Sequence, residues 1–356
     1  MVERISNLRG FLPDEKSAFL IKSDVNRLYY SGFRSSAGFV LITNSSATLL
    51  VDFRYFEAAT KIVDKGINVV CYKKAFESIN GILKNENIIK VYIENDFITL
   101  SDFSAMNENL RVDIADDFDL SKTILLQRSI KSDIEIEKIV IAQKIAEKSF
   151  LEVLNFVNEG VSEREIAVKL EYLMKKYGAE KVAFDLIVVS GANSSLPHGV
   201  PSDKLIQKGE FITFDIGAVY DGYHSDMTRT VALSYATEEM KQIYDIVLNA
   251  HKEAEKAICA GNSCADVDNA ARDYITSKGY GEYFGHSTGH GVGLDIHENP
   301  TVYKTNTETL KSGMIITNEP GIYLPDKFGV RIEDMFLVQD NGCKSLANID
   351  KELIIL

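Results

Sequence analysis

Three of the six histidines in this 356-residue chain fall within the seventeen residues from Phe284 to Pro300, FGHSTGHGVGLDIHENP: His286, His290 and His297. Gly285, Gly289, Gly291 and Gly293 surround them, and glycine at that density lets a backbone approach another backbone or a ligand closely. Histidine is the commonest metal ligand and a general acid or base near neutral pH. Acids in unusual places lie on either side. Upstream, Asp215 interrupts the apolar run Phe211–Tyr220, where an unpaired charge would cost several kcal/mol. Asp221-Gly222 is a hairpin-turn dipeptide. If those two residues form the loop, Asp215 faces Thr228 and Asp226 faces Gly217, so both aspartates share one sheet face a diagonal step apart. Downstream, Glu319 ends the apolar run that starts at Met314, with Pro320 favouring an extended backbone there. Glu333 lies within Val330–Val338.

Each acid alone has a structural explanation. Asp215 or Asp226 could pair with Arg229 or with turn amides, and Glu333 with Arg331. Four acids inside four apolar strands, beside a glycine-framed histidine, point instead to a cation, because like charges that close repel unless one lies between them. Carboxylates with one imidazole suit divalent manganese, cobalt, iron or zinc. Five ligands exceed what one tetrahedral ion with an open position takes; two ions ~3.5–4 Å apart fit the count. Spacing alone therefore yields a dinuclear hydrolase.

Helices must hold these strands. Ser132 with Glu135, Ser162 with Glu165, and Ser263 with Asp266 stand as helix-start pairs, and a further helix is expected from Thr237 towards Gly261. Ile136, Ile139, Val140, Phe150, Val153, Leu154 and Val157 recur at helical spacing, as do Ile166, Leu170 and Leu173. Two helices and then acid-bearing strands occur twice over. The first 122 residues contain no histidine. Strands are expected at Phe39–Thr43, Ala47–Asp52, Val69–Tyr72 and Lys90–Ile93, with helices at Phe53–Val63 and Glu77–Asn85, which predicts an α/β domain with a mixed sheet. The expected organisation is an N-terminal domain over 1–122, a linker over 123–131 and a catalytic domain over 132–356. The linker is placed more broadly around Leu120 to Lys131.

A net charge of −13 argues against nucleic acid and against anionic membrane surfaces as partners. No apolar run reaches the ~20 residues of a membrane helix, and the charged N-terminus lacks a signal-peptide core. Four cysteines without CxxC spacing suggest reduced thiols in the cytoplasm.

The segments FDIG, SDMTRT, HSTGHGVGLDIHE, NEPGIY and VRIED resemble the M24 "pita-bread" metallopeptidases, in the branch of Xaa-Pro aminopeptidases and Xaa-Pro dipeptidases (prolidases). The likeness runs from Ser132 to the C-terminus, and the first ~120 residues, with LYYSGF at Leu28–Phe33, resemble the creatinase-type domain of that branch. The resemblance implies an α/β two-domain protein with a pita-bread catalytic domain and two divalent ions, manganese first, then cobalt, zinc or iron. It implies Asp215 as bidentate ligand of one ion, Asp226 and Glu333 as bridging carboxylates, and His290 and Glu319 as ligands of the other. It gives Glu319 a second role as proton shuttle, places His198 and His297 at the scissile bond, and makes His286 an outer-site histidine. Arg331 orients a bridging acid or the substrate, and Thr228 lies beside Asp215. His224 stands next to the first acids, and His251 is expected on the surface of a charged helix. The substrates implied are proline-containing peptides, and the assembly a homodimer. No arginine follows His297-Glu-Asn-Pro300 to bind a dipeptide carboxylate, so the sequence favours an Xaa-Pro aminopeptidase, with Xaa-Pro dipeptidase as the alternative and a binding protein on the same fold as the non-enzyme one.

Overall fold

The apolar runs of the first hundred residues assemble into one six-stranded sheet. Its order is Asn68–Cys71, Ala47–Val51, Phe39–Ile42, Ser17–Ile21, Lys90–Ile93 and Asp113–Ala115. Phe39–Ile42 is antiparallel to both its neighbours, and the other pairings are parallel, so the sheet is mixed. This computed structural model describes residues 1–356 and divides into two units, Met1–Arg128 and Ser129–Leu356.

The stretch expected as a linker, 123–131, is mostly helical: one helix runs from Leu120 to Ser129. Leu120 and Ile124, four residues apart, are both fully buried, as helical spacing places them on one face. The short length of the helix and its polar residues Lys122, Gln127 and Arg128 masked it in the sequence.

The second unit holds the glycine-framed histidines. Its helices begin where the capping residues stand. Glu165 Oε2 accepts from Ser162 N at 2.9 Å, and Ser162 Oγ accepts from Glu165 N at 3.2 Å. Ser263 and Asp266 exchange the same bonds at 2.8 and 3.1 Å. Glu135 Oε2 accepts from Ser132 N at 3.0 Å, and Thr237 Oγ1 from Met240 N at 3.2 Å. The doubled order of the sequence corresponds to two hydrophobic cores. Helices Asp133–Val153 and Glu163–Lys176 put Ile145, Phe150, Ile166 and Leu170 against Val188, Phe214 and Val231. Helices Glu238–Ala257 and Cys264–Ser277 put Ile243, Val247, Val267 and Ile275 against Ile316, Val330 and Phe336. Each core therefore backs one set of acid-bearing strands. A single bridge, Thr228 to Glu333, stitches the two sets together.

His251 is not on the surface. It is fully buried on helix Glu238–Ala257, its ring 5.7 Å from that of Phe336, with neither ring nitrogen hydrogen-bonded. The charged run Lys252–Lys256 obscured a second apolar face in which His251 follows Tyr244 and Leu248 at helical spacing. Burial pushes the imidazole down to about 3. An unfolded histidine titrates near ~6.5, so between these values the unfolded chain binds the extra proton. The stability due to neutral His251 is complete above the unfolded pKa and is lost as pH falls towards the folded one, at ~1.4 kcal/mol per pH unit. With metal chelated, wild-type protein should lose about 2 kcal/mol more than His251→Leu between pH 7 and pH 5 in denaturant titrations; equal losses would count against this account.

Candidate metal centre

The hairpin that carries the first two acids has the register its turn dictates. Asp215 lies opposite Thr228 and Tyr220 opposite Tyr223. The loop is thus Asp221-Gly222, both at positive φ, 45° and 86°, as a two-residue type I′ turn requires. Gly217 lies where the strands come closest: a Cβ there would sit 2.0 Å from Ser225 O. The downstream acids come from the other sheet set. Glu319 follows strand Ile315–Asn318 and donates its N–H to Thr288 O at 2.8 Å. Glu333 sits between strands Phe328–Arg331 and Asp334–Gln339, its N–H donating to Thr228 O at 3.1 Å.

His290 is the centre of the short strand Gly289–Gly291. Its Nδ1 lies 2.9 Å from Gly291 O. The Nδ1–H donates there, which leaves the Nε2 lone pair facing Asp226 Oδ2 and Glu319 Oε1, each 3.5 Å away. A ring nitrogen tied to a carbonyl while the other faces carboxylates is the tautomer of a metal ligand. Ligand atoms of Asp226, His290 and Glu333 all lie within 4.8 Å of one another. Burial, followed by the charges of Glu333, Asp215 and Glu319, pushes the Asp226 carboxyl well above the usual range. Burial and then Glu319 and Asp215 do the same to Glu333, and burial takes Glu319 up to about 7. Asp215 Oδ1 and Asp226 Oδ1 are buried without a hydrogen-bond partner. Mutually repelling carboxylates with orphaned oxygens, facing an unprotonated imidazole nitrogen, are a donor set that divalent cations fit.

The arginines pair otherwise than their sequence positions suggest. Arg331 reaches Asp215 Oδ2 at 2.5 Å, not Glu333. It also donates to Thr228 Oγ1 at 3.1 Å, Tyr323 Oη at 2.8 Å and Pro197 O at 3.1 Å. Thr228 Oγ1 in turn donates to Glu333 Oε2 at 2.7 Å. Arg229 lies behind the site, paired with Asp334. Which acid an arginine meets depends on how the sheets stack, and that is not periodic in sequence.

The other histidines ring the cluster. The His297 ring centroid is 4.4 Å from that of His290, and His297 is solvent-exposed. His198 is exposed on the turn after Gly191–Ser195. His286 Nδ1 donates to Ser287 O at 2.8 Å, and its Nε2 accepts from Tyr323 Oη at 2.9 Å. His224 is buried with Nδ1 3.3 Å from Gly293 O, which ties the histidine segment to the hairpin.

Three supports are not apparent from the sequence. Tyr323 joins His286 to Arg331. Thr317 Oγ1 accepts from His290 N at 3.0 Å and lies 3.3 Å from Glu319 Oε1. On the helix Cys264–Ser277, buried Asp268 forks Arg272 at 2.6 and 2.8 Å and accepts from Thr288 N and Oγ1, while Arg272 donates to the carbonyls of Phe284 and His286. In sequence that pair is an ordinary i,i+4 surface couple; Tyr323 closes the NEPGIY segment, but nothing local shows that it reaches His286 and Arg331.

The metallopeptidase family M24 model matches residues 137–340, and the creatinase/prolidase N-terminal domain model matches residues 4–130. The chain belongs to metallopeptidase family M24. Its two domains are the creatinase-type and pita-bread domains of that family, and it is an enzyme, a metallo-exopeptidase of the Xaa-Pro peptidase group. Among M24 members, it is 41% identical to a Pyrococcus furiosus protein named Xaa-Pro dipeptidase, over 99% of this chain and all of that one. A solved Xaa-Pro dipeptidase from Bacillus anthracis superimposes with a TM-score of 0.95 at 41% identity, covering 100% of this chain and 99% of that one. An X-Pro aminopeptidase from Thermotoga maritima superimposes with a TM-score of 0.92 at 35% identity, covering 99% of this chain and 100% of that one. No helix is long and apolar enough to cross a membrane.

Proposed function

We propose that this M24 enzyme is an Xaa-Pro dipeptidase, a prolidase, that uses two divalent ions, manganese first, held by Asp215, Asp226, His290, Glu319 and Glu333. The observation that carries this reading is the buried carboxylate–imidazole cluster with its two orphaned oxygens, in a chain alignable end to end with proteins named Xaa-Pro dipeptidase. When bound, the ions would lower the pKa of a water and polarise the scissile carbonyl. Glu319 passes a proton from the attacking water to the leaving proline nitrogen. His297, beside His290, and His198 hold the carbonyl oxygen and the proline residue, and their exposure leaves them open to a peptide. The Arg331 guanidinium fixes Asp215 and the Pro197 carbonyl at once, so the acid and the His198 turn keep their spacing. Four free cysteines suit a reducing compartment, and we place the enzyme in the cytoplasm, as a homodimer.

An aminopeptidase acting on longer Xaa-Pro peptides is the second reading, favoured by the lack of an arginine after Pro300 and by the Thermotoga likeness. Arg331 has all three guanidinium nitrogens engaged, so it is not a free anchor for a dipeptide carboxylate. Protein stripped of metal and resupplied with manganese, cobalt, iron or zinc, one at a time, is assayed on Xaa-Pro and Xaa-Pro-Yaa peptides of matched sequence. The dipeptide should be cleaved with the higher kcat/KM, by about tenfold or more, a gap of ~1.4 kcal/mol in transition-state binding. Faster tripeptide cleavage would establish the aminopeptidase, and no cleavage with any metal would point to a different hydrolytic substrate or a binding role.

A further inference from the structure

His198 sits near the middle of a loop, 191–202, whose two feet converge on one buried acid. Glu163 opens the helix Glu163–Lys176 and is 0% exposed. Its Oε1 accepts from Ser190 N at 2.7 Å, Ser190 Oγ at 3.0 Å and Asn193 Nδ2 at 3.1 Å. Its Oε2 accepts from Ser202 N at 3.0 Å, Ser202 Oγ at 2.6 Å and Asn193 Nδ2 at 3.2 Å. Both feet of the loop, and one residue inside it, therefore hang on a single carboxylate. No cation pairs with it: Lys204 Nζ goes to Ser190 Oγ and Glu210 Oε2 instead. A buried carboxylate without a direct counter-ion is costly, and here the groups that touch it are N–H and O–H donors at a helix N-terminus, with the Lys204 ammonium one hydroxyl away. On its far side the same loop touches the site. Pro197 O, one residue before His198, accepts from Arg331, and Gly329 N donates to Ser194 Oγ at 2.9 Å.

We propose that Glu163 is the positioning residue of the His198 loop, pinning its feet so that the imidazole meets a bound peptide at a fixed place. The proposal rests on the peptidase reading only for what His198 does; the clasp itself is independent of it. Glu163→Gln keeps the shape but turns one acceptor oxygen into an NH2 group. That group faces either the Ser190 or the Ser202 N–H, donor against donor, so one foot loses its carboxylate bonds. It keeps only its backbone anchors, the pairing of Ser190 with Ile212 or the bond that Ser202 O accepts from Arg164 N at 3.0 Å.

The test combines hydrogen–deuterium exchange with a double-mutant cycle on the full-length, metal-loaded protein. In Glu163→Gln, amides of 191–202 should exchange at least about tenfold faster while those of the strand Gly289–Gly291 keep the wild-type rate. The kcat/KM on the preferred Xaa-Pro peptide should fall about 10²-fold, the cost of a misplaced group, with metal content unchanged. His198→Ala should lose activity without faster exchange, and Glu163→Gln/His198→Ala should lose no more than His198→Ala alone. Ser202→Ala, which removes one donor and no charge, should show the same effects in smaller measure and covers the case in which Glu163→Gln fails to fold. Unchanged exchange, unchanged activity or losses that multiply in the double variant would each overturn the proposal. If wild-type protein cleaves no Xaa-Pro peptide the peptidase reading fails, and the exchange data still decide the clasp.

Discussion

Asp226→Asn should abolish peptidase activity and metal binding together, yet leave the chelated protein more stable than wild type. The activity loss is expected to reach about 10³-fold or more, equivalent to ~4 kcal/mol of transition-state stabilisation. The stability change has the opposite sign because Asp226 is a buried charge among others of the same sign, pushed up by burial and by Glu333, Asp215 and Glu319. Without a cation the wild-type chain must either protonate these acids or tolerate their repulsion, and asparagine removes one of them at nearly constant shape. With a cation the wild type gains binding energy that the variant lacks. Thermal unfolding of both proteins, with chelator and with manganese, should thus give two orderings that cross, and elemental analysis should find fewer ions in the variant. If Asp226 served only the fold, Asp226→Asn would be less stable in both conditions. That result would remove it from the metal centre.

Arg229→Met should cost about 3–5 kcal/mol, the range for breaking a buried ion pair from one side. Arg229 is 1% exposed and makes five hydrogen bonds. It donates to Asp350 O, Thr228 O, Glu333 O, Asp334 Oδ1 and Ile349 O, at 2.7 to 3.2 Å. Burial alone would raise the Asp334 carboxyl, but Arg229, with Lys351, holds it below the usual range. Asp334→Asn added to Arg229→Met should recover only a small part of the loss, since Lys351 Nζ, 2.6 Å from Asp334 Oδ2, still pairs with the carboxylate in the single variant. The measurement is exchange of the Asp334–Gln339 amides together with the denaturant midpoint. A loss under about 1 kcal/mol would mean the pair contributes no more than an exposed one. Because Glu333 O is one of the acceptors, the variant should also bind metal more weakly.

What is legible in the chain follows from which forces are periodic. The capping serines, the helical stripes and the 221–222 turn are local, so the register that sets Asp215 against Thr228 is written in a few neighbouring residues. Acids stranded in apolar strands stand out because burying charge is expensive wherever it happens. Partners across sheets do not. Arg331 meets Asp215 rather than Glu333, and Arg229 meets Asp334, because these pairs cross between two sheet sets distant in sequence, whose stacking no local pattern encodes. Asp268 with Arg272 has the spacing of a solvated couple, although Asp268 lies on the buried stripe of its helix with Cys264, Val267, Ala271 and Ile275. His251 has the sequence surroundings of a surface residue, and is buried because the helix Glu238–Ala257 buries a broad face. The helix within the expected linker is hidden for a related reason: ten residues with Leu120 and Ile124 fully buried carry too little pattern to stand out from the charges around them.

The four glycines that frame the histidines look interchangeable as letters, but the folded chain ranks them. A methyl group on Gly289 would lie 2.1 Å from Thr317 O, and one on Gly291 2.3 Å from Asn299 O, both rigid backbone atoms. On Gly293 it would meet the Glu298 carboxylate at 2.6 Å, while around Gly285 there is nothing within 4 Å. A side chain at either of the first two positions would therefore force backbone apart, one at Gly293 would require Glu298 to move, and one at Gly285 would meet no clash. The motif is a gradient of tolerance, steepest where the strand bearing His290 is threaded between its neighbours.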